Sequence, residues 1–127
     1  MRVFIADDSL AVVERLAELL RDVPGIEYSG HAGDVSGALS SIRRLKPDAV
    51  ILDLRMPGGS GLDVLRAVRQ DFPSLPVLIC TNHSDALSRK QCLLAGADYF
   101  LDKTMEFERI PDILCGLELK SRETSAR

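Results

Sequence analysis

The sequence predicts an α/β fold: a doubly wound, five-stranded parallel sheet of order 2-1-3-4-5, with helices on both faces. Three observations predict it. Strand-like apolar runs alternate five times with helix-period segments along 127 residues, and in one small domain that alternation means a parallel sheet covered on both sides. The runs Val3-Phe4-Ile5-Ala6, Ala49-Val50-Ile51-Leu52 and Val77-Leu78-Ile79-Cys80 are uniformly apolar, as interior strands are. Ile26 to His31 instead alternates apolar Ile26 and Tyr28 with polar Glu27 and Ser29, the mark of a half-exposed edge strand.

Each element has its own signal. After the first run, Leu10, Val12, Val13, Leu16, Leu19 and Leu20 recur at helical spacing until Pro24-Gly25. Asp34 is placed to cap a second helix carrying Val35, Ala38, Leu39, Ile42 and Leu45, closed before Pro47. The run ending at Asp53 leads into a Pro57-Gly58-Gly59 loop and a third helix with Leu62, Leu65 and Val68. Pro73 and Pro76 separate that helix from the fourth strand. Ser84 is expected to cap a fourth helix through Leu94, with Gly96 at its end. Asp98 to Leu101 forms the fifth strand, and Ile110, Ile113, Leu114 and Leu117 mark the fifth helix, with Pro111 in its first turn. Residues 1–119 read as one domain, and 120–127 as a polar tail or the start of a linker that frays.

Composition narrows the function classes. A net charge of −3 argues against a nucleic-acid-binding surface. No apolar stretch reaches membrane-span length and no signal peptide precedes the first strand, so the protein is expected in the cytoplasm. Cys80, Cys92 and Cys115 are odd in number, scattered and set among apolar neighbours, and read as reduced core residues. His31 reads as a surface residue of the edge strand and His83 as a loop residue. Arg43-Arg44 and Arg89-Lys90 read as solvated helix faces, the latter pair with a lesser claim to an acidic partner.

The chemistry lies where the runs end. Four of them finish on Asp7-Asp8, on Asp53, on Thr81, and, through Asp102, on Lys103. In a doubly wound sheet the ligand crevice lies at the carboxyl ends of the strands, at the reversal between strands one and three. The acidic residues fall at that reversal. Mg²⁺ (or Mn²⁺) takes oxygen ligands and keeps several waters; Asp8 and Asp53 are the direct candidates, Asp7 acts through water, and the backbone carbonyl of Arg55 completes the set. Asp53 is the candidate nucleophile, because a carboxylate can form an aspartyl phosphate. Lys103 would pair with the transferred phosphoryl group as a point charge and Thr81 would donate a hydrogen bond to it. Singly, each has a plainer reading: Asp8 or Ser9 as a helix cap, Asp53 or Thr81 as a turn residue, Lys103 as a solvated charge. Four strand ends carrying these residue types together favour the joint one.

With these residues in this order, the chain resembles the receiver domain of bacterial two-component response regulators from about Arg2 to Leu119. The motifs are Asp7-Asp8, Leu52-Asp53-Leu54-Arg55-Met56-Pro57 with Gly61 following, Thr81, and Gly96-Ala97-Asp98 leading to Lys103. The resemblance implies a flavodoxin-like (βα)5 fold and Mg²⁺-dependent transfer of a phosphoryl group to Asp53 from a phosphohistidine. The donor would be a sensor kinase or a histidine phosphotransfer protein, and dephosphorylation would be self-catalysed. It also implies a switch pair, Thr81 and Phe100, that remodels the surface of the fourth helix, fifth strand and fifth helix. That surface would act on a separate protein, an output domain or a second copy of the chain. Leu87, Lys90, Gln91 and Leu94 are candidates for part of it. Tyr99 should face the opposite side of the sheet from Phe100.

Two positions depart from the family pattern. Thr104 follows Lys103 where proline is common, and Asn82 follows Thr81 where a small residue is common. Asn82, together with Arg55 across the pocket mouth, is expected to obstruct access to the phosphoryl group and lengthen its lifetime. The alternatives are a receiver-like interaction module that is never phosphorylated, which the intact residue set argues against, and an aspartate-based phosphohydrolase of the haloacid dehalogenase type. The latter usually carries a second acid two residues after its nucleophile, where this chain has Arg55, and the chain is short for a substrate-gating cap.

Overall fold

The computed structural model describes residues 1–125, with side chains described through 121. The central sheet comprises β1 (Arg2–Ala6), β2 (Glu27–Ala32), β3 (Ala49–Leu52), β4 (Val77–Thr81) and β5 (Tyr99–Asp102). All neighbours are parallel and the order is β2-β1-β3-β4-β5, as the strand character predicts. The helices are α1 (Leu10–Arg21), α2 (Val35–Leu45), α3 (Gly61–Asp71), α4 (Ala86–Leu94) and α5 (Ile110–Ser125). A 3₁₀ turn, Phe107–Arg109, leads into α5. No helix among the described residues is long and apolar enough to cross a membrane.

The pleat splits each interior strand between two cores. Phe4, Ala6, Val50, Leu52, Val77, Ile79 and Phe100 join residues of α2 and α3, such as Ile42, Val64 and Leu65, and Cys92 of α4. Val3, Ile5, Ala49, Ile51, Leu78, Cys80 and Leu101 join residues of α1 and α5, such as Val13, Leu16, Leu20, Ile110 and Leu114. Burial on both faces is why these runs carry no polar alternation. β2 keeps only partly buried or exposed residues, as an edge strand with one neighbour must.

Four local expectations change. Asp85, not Ser84, caps α4: its side chain accepts the backbone N–H of Ser88, because a carboxylate one position nearer the first turn reaches that donor. The segment after Asp53 forms a tight hairpin, with Arg55–Met56 pairing antiparallel to Gly59–Ser60. Cys115 is exposed while Cys80 and Cys92 are buried, since on α5 the face turned to the sheet belongs to Ile110 and Leu114. Helix α5 runs on to Ser125, past the 1–119 boundary; the part of the expected tail at residues 126–127 lies outside the described residues.

The edge opposite the site is held by Arg69. Its guanidinium donates to the carbonyls of Gly96 (2.8 Å) and Leu75 (2.5 Å) and pairs with Asp98 (2.8 Å). Asp98 also accepts the N–H of Val77. Gly96 adopts a φ of +104° after α4, and a Cβ there would lie 2.8 Å from Nε of Arg69. The Gly96-Ala97-Asp98 motif is thus the join between α4, β5 and α3.

Candidate functional site

The backbone ladder runs one residue past β1 and β3. The N–H of Asp7 donates to the carbonyl of Ala32 (3.0 Å) and that of Asp53 to the carbonyl of Ala6 (2.9 Å). Neighbouring strands therefore deliver both carboxylates to one place. Asp7 and Asp53 are buried and Asp8 is exposed, and one carboxylate oxygen from each lies within 4.8 Å of the other two. Ser9, not Asp8, caps α1: its hydroxyl accepts the N–H of Val12 (3.4 Å), and Oδ1 of Asp7 accepts the N–H of Ser9 (2.8 Å). Asp8 is left to face the crevice mouth.

Lys103 arrives from the end of β5. Its N–H donates to the carbonyl of Thr81 (2.9 Å), and its ammonium lies 2.7 Å from Oδ2 of Asp7 and 3.0 Å from Oδ2 of Asp53. The Lys103 side chain is 11% exposed. Burial pulls its pKa down, but hydrogen bonds and charge from Asp7 and Asp53 outweigh that and leave it raised. Three carboxylates against one ammonium leave two net negative charges in this space. Hard oxygen donors with that charge fit Mg²⁺ or Mn²⁺, with Asp7, Asp8 and Asp53 as the residues able to hold it.

Thr81 is fully buried at the end of β4, and its Oγ1 accepts the N–H of His83 (3.1 Å). Oδ1 of Asp53 accepts the N–H of Leu54 (2.7 Å). Gly61 opens α3 directly against the loop after Asp53; a Cβ there would sit 2.0 Å from the backbone oxygen of Asp53. That contact accounts for the glycine in the motif. Cys80 lies one residue before Thr81, and burial pushes its thiol up to about 12, so it remains a neutral core group rather than a nucleophile.

Phe100 is buried on the α2–α4 side of the sheet and Tyr99 packs on the other, as the pleat requires. Leu87 and Leu94 of α4 are 64% and 78% exposed, and Lys90 and Gln91 are also exposed. Arg89 is exposed, as a solvated helix face should be, but it also meets a partner that sequence reasoning did not supply. Its guanidinium stands 6.0 Å from the Phe100 ring centroid and donates to the Phe100 carbonyl (3.4 Å); the signal was an arginine among polar residues on a short helix, which reads as solvated. Arg43 is likewise engaged, in an ion pair with Asp71 of α3 (2.8 Å). His31 is exposed, as expected, and accepts or donates at Nδ1 to the Tyr28 hydroxyl (2.6 Å). Asn82 and Lys103 line one groove, and Arg55 and Asp8 another.

The family model described as the response regulator receiver domain matches residues 3–114. The chain belongs to this family. It is 31% identical over 130 residues to the DNA-binding transcriptional activator DevR/DosR of Mycobacterium tuberculosis, covering 99% of this chain and 60% of that protein. It is 37% identical to the probable transcriptional regulatory protein TcrX of the same organism, over 85% of this chain and 45% of that one. The receiver therefore spans about half the length of these curated relatives. Among solved structures, the receiver domain of a NarL response regulator from M. tuberculosis superposes with a TM-score of 0.84 at 31% identity, covering 92% of this chain and 94% of that one. The receiver domain of a LuxO repressor protein from Vibrio parahaemolyticus gives 0.85 at 27% identity over 98% and 95%. The flavodoxin-like receiver fold is the one these structures share.

Proposed function

We propose that this receiver is a phosphorylation-driven switch in which Asp53 accepts a phosphoryl group from a phosphohistidine of a sensor kinase or histidine phosphotransfer protein. The observation that carries the proposal is Lys103 bridging Asp7 and Asp53 inside a three-carboxylate cluster. Asp7, Asp8, Asp53 and the backbone carbonyl of Arg55 are the groups proposed to hold Mg²⁺ or Mn²⁺. When bound, the cation neutralises charge on the phosphoryl oxygens and the attacking carboxylate.

An Asp53 carboxylate oxygen bonds to phosphorus as the phosphorus–nitrogen bond of the donor breaks, and the electron pair leaves on the imidazole nitrogen, which takes up a proton. The Leu54 N–H, bonded to Oδ1, restricts how the carboxylate can turn. Lys103, charged because its pKa is raised, exchanges one carboxylate partner for a phosphoryl oxygen. The Thr81 hydroxyl has its proton free to donate while it accepts from His83.

A charge gained at Asp53 biases the pair Thr81 and Phe100, and with them the face built by α4, β5 and α5. Arg89, bonded to the Phe100 carbonyl, ties α4 to that ring. The modified face acts on a downstream protein, on an output domain or on a second copy. The receiver works in the cytoplasm and reads neither nucleic acid nor membrane itself. It turns over only its own phosphoryl group.

The test is incubation of the chain with acetyl phosphate and Mg²⁺, read by intact mass. One phosphoryl adduct, lost in Asp53→Asn and without divalent cation, is the expected result. An unmodified mass would instead support an inert interaction module, and steady turnover of many phosphate esters a hydrolase.

A further inference from the structure

Asp102 stands between the two loops that carry the hydroxyl and the amine of the site. Its Oδ1 accepts the N–H groups of Thr104 (2.8 Å) and Met105 (2.8 Å), closing the turn that presents Lys103. Its Oδ2 accepts the hydroxyl of Ser84, three residues beyond Thr81. The backbone of Asp102 is held as well, its N–H donating to Oε1 of Glu106 (3.1 Å). A weaker second link joins the same loops, Thr104 Oγ1 donating to Oδ1 of Asn82 (3.4 Å).

The bond between Ser84 and Asp102 is not accounted for by secondary structure. Asp85 caps α4, so the Ser84 hydroxyl has no capping duty. The segment from Asn82 to Asp85 belongs to no helix or strand, so its path rests on individual contacts. That path matters to the site because the N–H of His83, inside the segment, sets the direction of the Thr81 hydroxyl (3.1 Å).

We propose that Ser84 and Asp102 are positioning residues for phosphoryl transfer, latching the loop after Thr81 to the Lys103 turn so that hydroxyl and amine meet the phosphoryl oxygens at a set separation. The inference rests on the receiver reading of Asp53 given above. Donors held in place before charge arrives need no reorganisation when it does. The Ser84 hydroxyl and the N–H groups of Met105 and Thr104 hold the Asp102 carboxyl below the usual carboxylate range, so the acceptor is ionised near neutrality and its hydrogen bonds are of the stronger, charge-assisted kind. In the sheet β4 and β5, which carry the two loops, lie on the other side of β3 from β1, and neither Ser84 nor Asp102 belongs to the acidic cluster, so the latch should serve the phosphoryl group and not the cation.

The test compares the full chain with Ser84→Ala and Ser84→Thr. Calorimetry reads the affinity for beryllium fluoride in the presence of Mg²⁺ and, separately, for Mg²⁺ alone, while intact mass reads the rate of labelling by acetyl phosphate. Ser84→Ala should weaken beryllium fluoride binding and slow labelling by about three- to tenfold, with Mg²⁺ affinity unchanged. Ser84→Thr, which keeps the hydroxyl, should recover most of the loss. Wild-type affinity in Ser84→Ala would overturn the latch, as would equal losses for the mimic and for Mg²⁺. If the unaltered chain takes neither acetyl phosphate nor beryllium fluoride, the receiver reading itself is wrong and the latch falls with it.

Discussion

The ammonium of Lys103 lies 3.0 Å from Oδ2 of Asp53, fifty positions away in sequence. The same ammonium bonds Asp7 at 2.7 Å. It joins the ends of β5, β3 and β1, and it compensates only part of the negative charge gathered there.

The uncompensated part should register as instability. Asp8→Asn removes one carboxylate from the cluster, and in the absence of divalent cation it should stabilise the fold by about 1 kcal/mol. Added Mg²⁺ should raise the melting temperature of the parent chain and have little effect on the variant. Thermal melts with and without Mg²⁺ make the comparison; a destabilised Asp8→Asn would mean the three acids do not repel one another.

Removing the cation of the chain itself should do the reverse. Lys103→Met leaves Asp7 and Asp53 without their shared partner and should cost about 3 kcal/mol at neutral pH. The pKa of Lys103 is raised by folding, so its contribution is present in full below the unfolded value of 10.5 and is lost as pH rises through the folded value above it. Urea midpoints of parent and variant should differ by a constant amount from pH 7 to 10 and converge only beyond 10.5. Convergence near pH 8 would contradict the ion pairing.

Asn82 lines a groove with Lys103, and Arg55 lines another with Asp8; Lys103 and Asp8 both lie close to Asp53, the proposed acceptor. Replacing Asn82 and Arg55 by alanine should open the phosphoryl group to water and accelerate its loss by about tenfold, equivalent to about 1.4 kcal/mol in the barrier. The measurement is decay of the adduct mass after the phosphodonor is removed. An unchanged half-life would show that water reaches phosphorus by another route.

Gly61 has the narrowest tolerance. A Cβ there meets the Asp53 carbonyl at 2.0 Å, and the opposing atom is backbone. Gly61→Ala should destabilise by about 1–3 kcal/mol through overpacking and displace the acceptor carboxylate, lowering labelling by acetyl phosphate well beyond the fraction unfolded. A variant that labels at the parent rate would mean the loop shifts without disturbing Asp53.

Much of this molecule was legible because its signals are local or periodic. Uniformly apolar Val77 to Cys80 reads as a strand buried on both faces, and the alternation from Ile26 to His31 reads as an edge strand. The residues of the candidate site could be read because each closes such a run. The misreadings share a different cause. Ser84 looked like a cap because serine before a helix usually is one, yet its hydroxyl turns to Asp102, a partner 18 residues away. Arg89 is exposed, as read, but nothing nearby in sequence shows that Phe100 will lie beside it. Cys115 looked buried among apolar neighbours, but the choice of which face of α5 meets the sheet is made by packing.

The amino-acid sequence alone determined the order of elements, the edge and interior strands, and the identity of the acids, hydroxyl and amine that end them, because strand and helix periods and chain-terminating polar residues are written in neighbouring positions. Only the tertiary structure decided that Lys103 bonds Asp7 and Asp53 together, that Gly61 must stay bare beneath the Asp53 carbonyl, and that Ser84 reaches Asp102. Those contacts join segments brought together by parallel crossovers, whose ends meet only when the helices between them have packed onto the sheet.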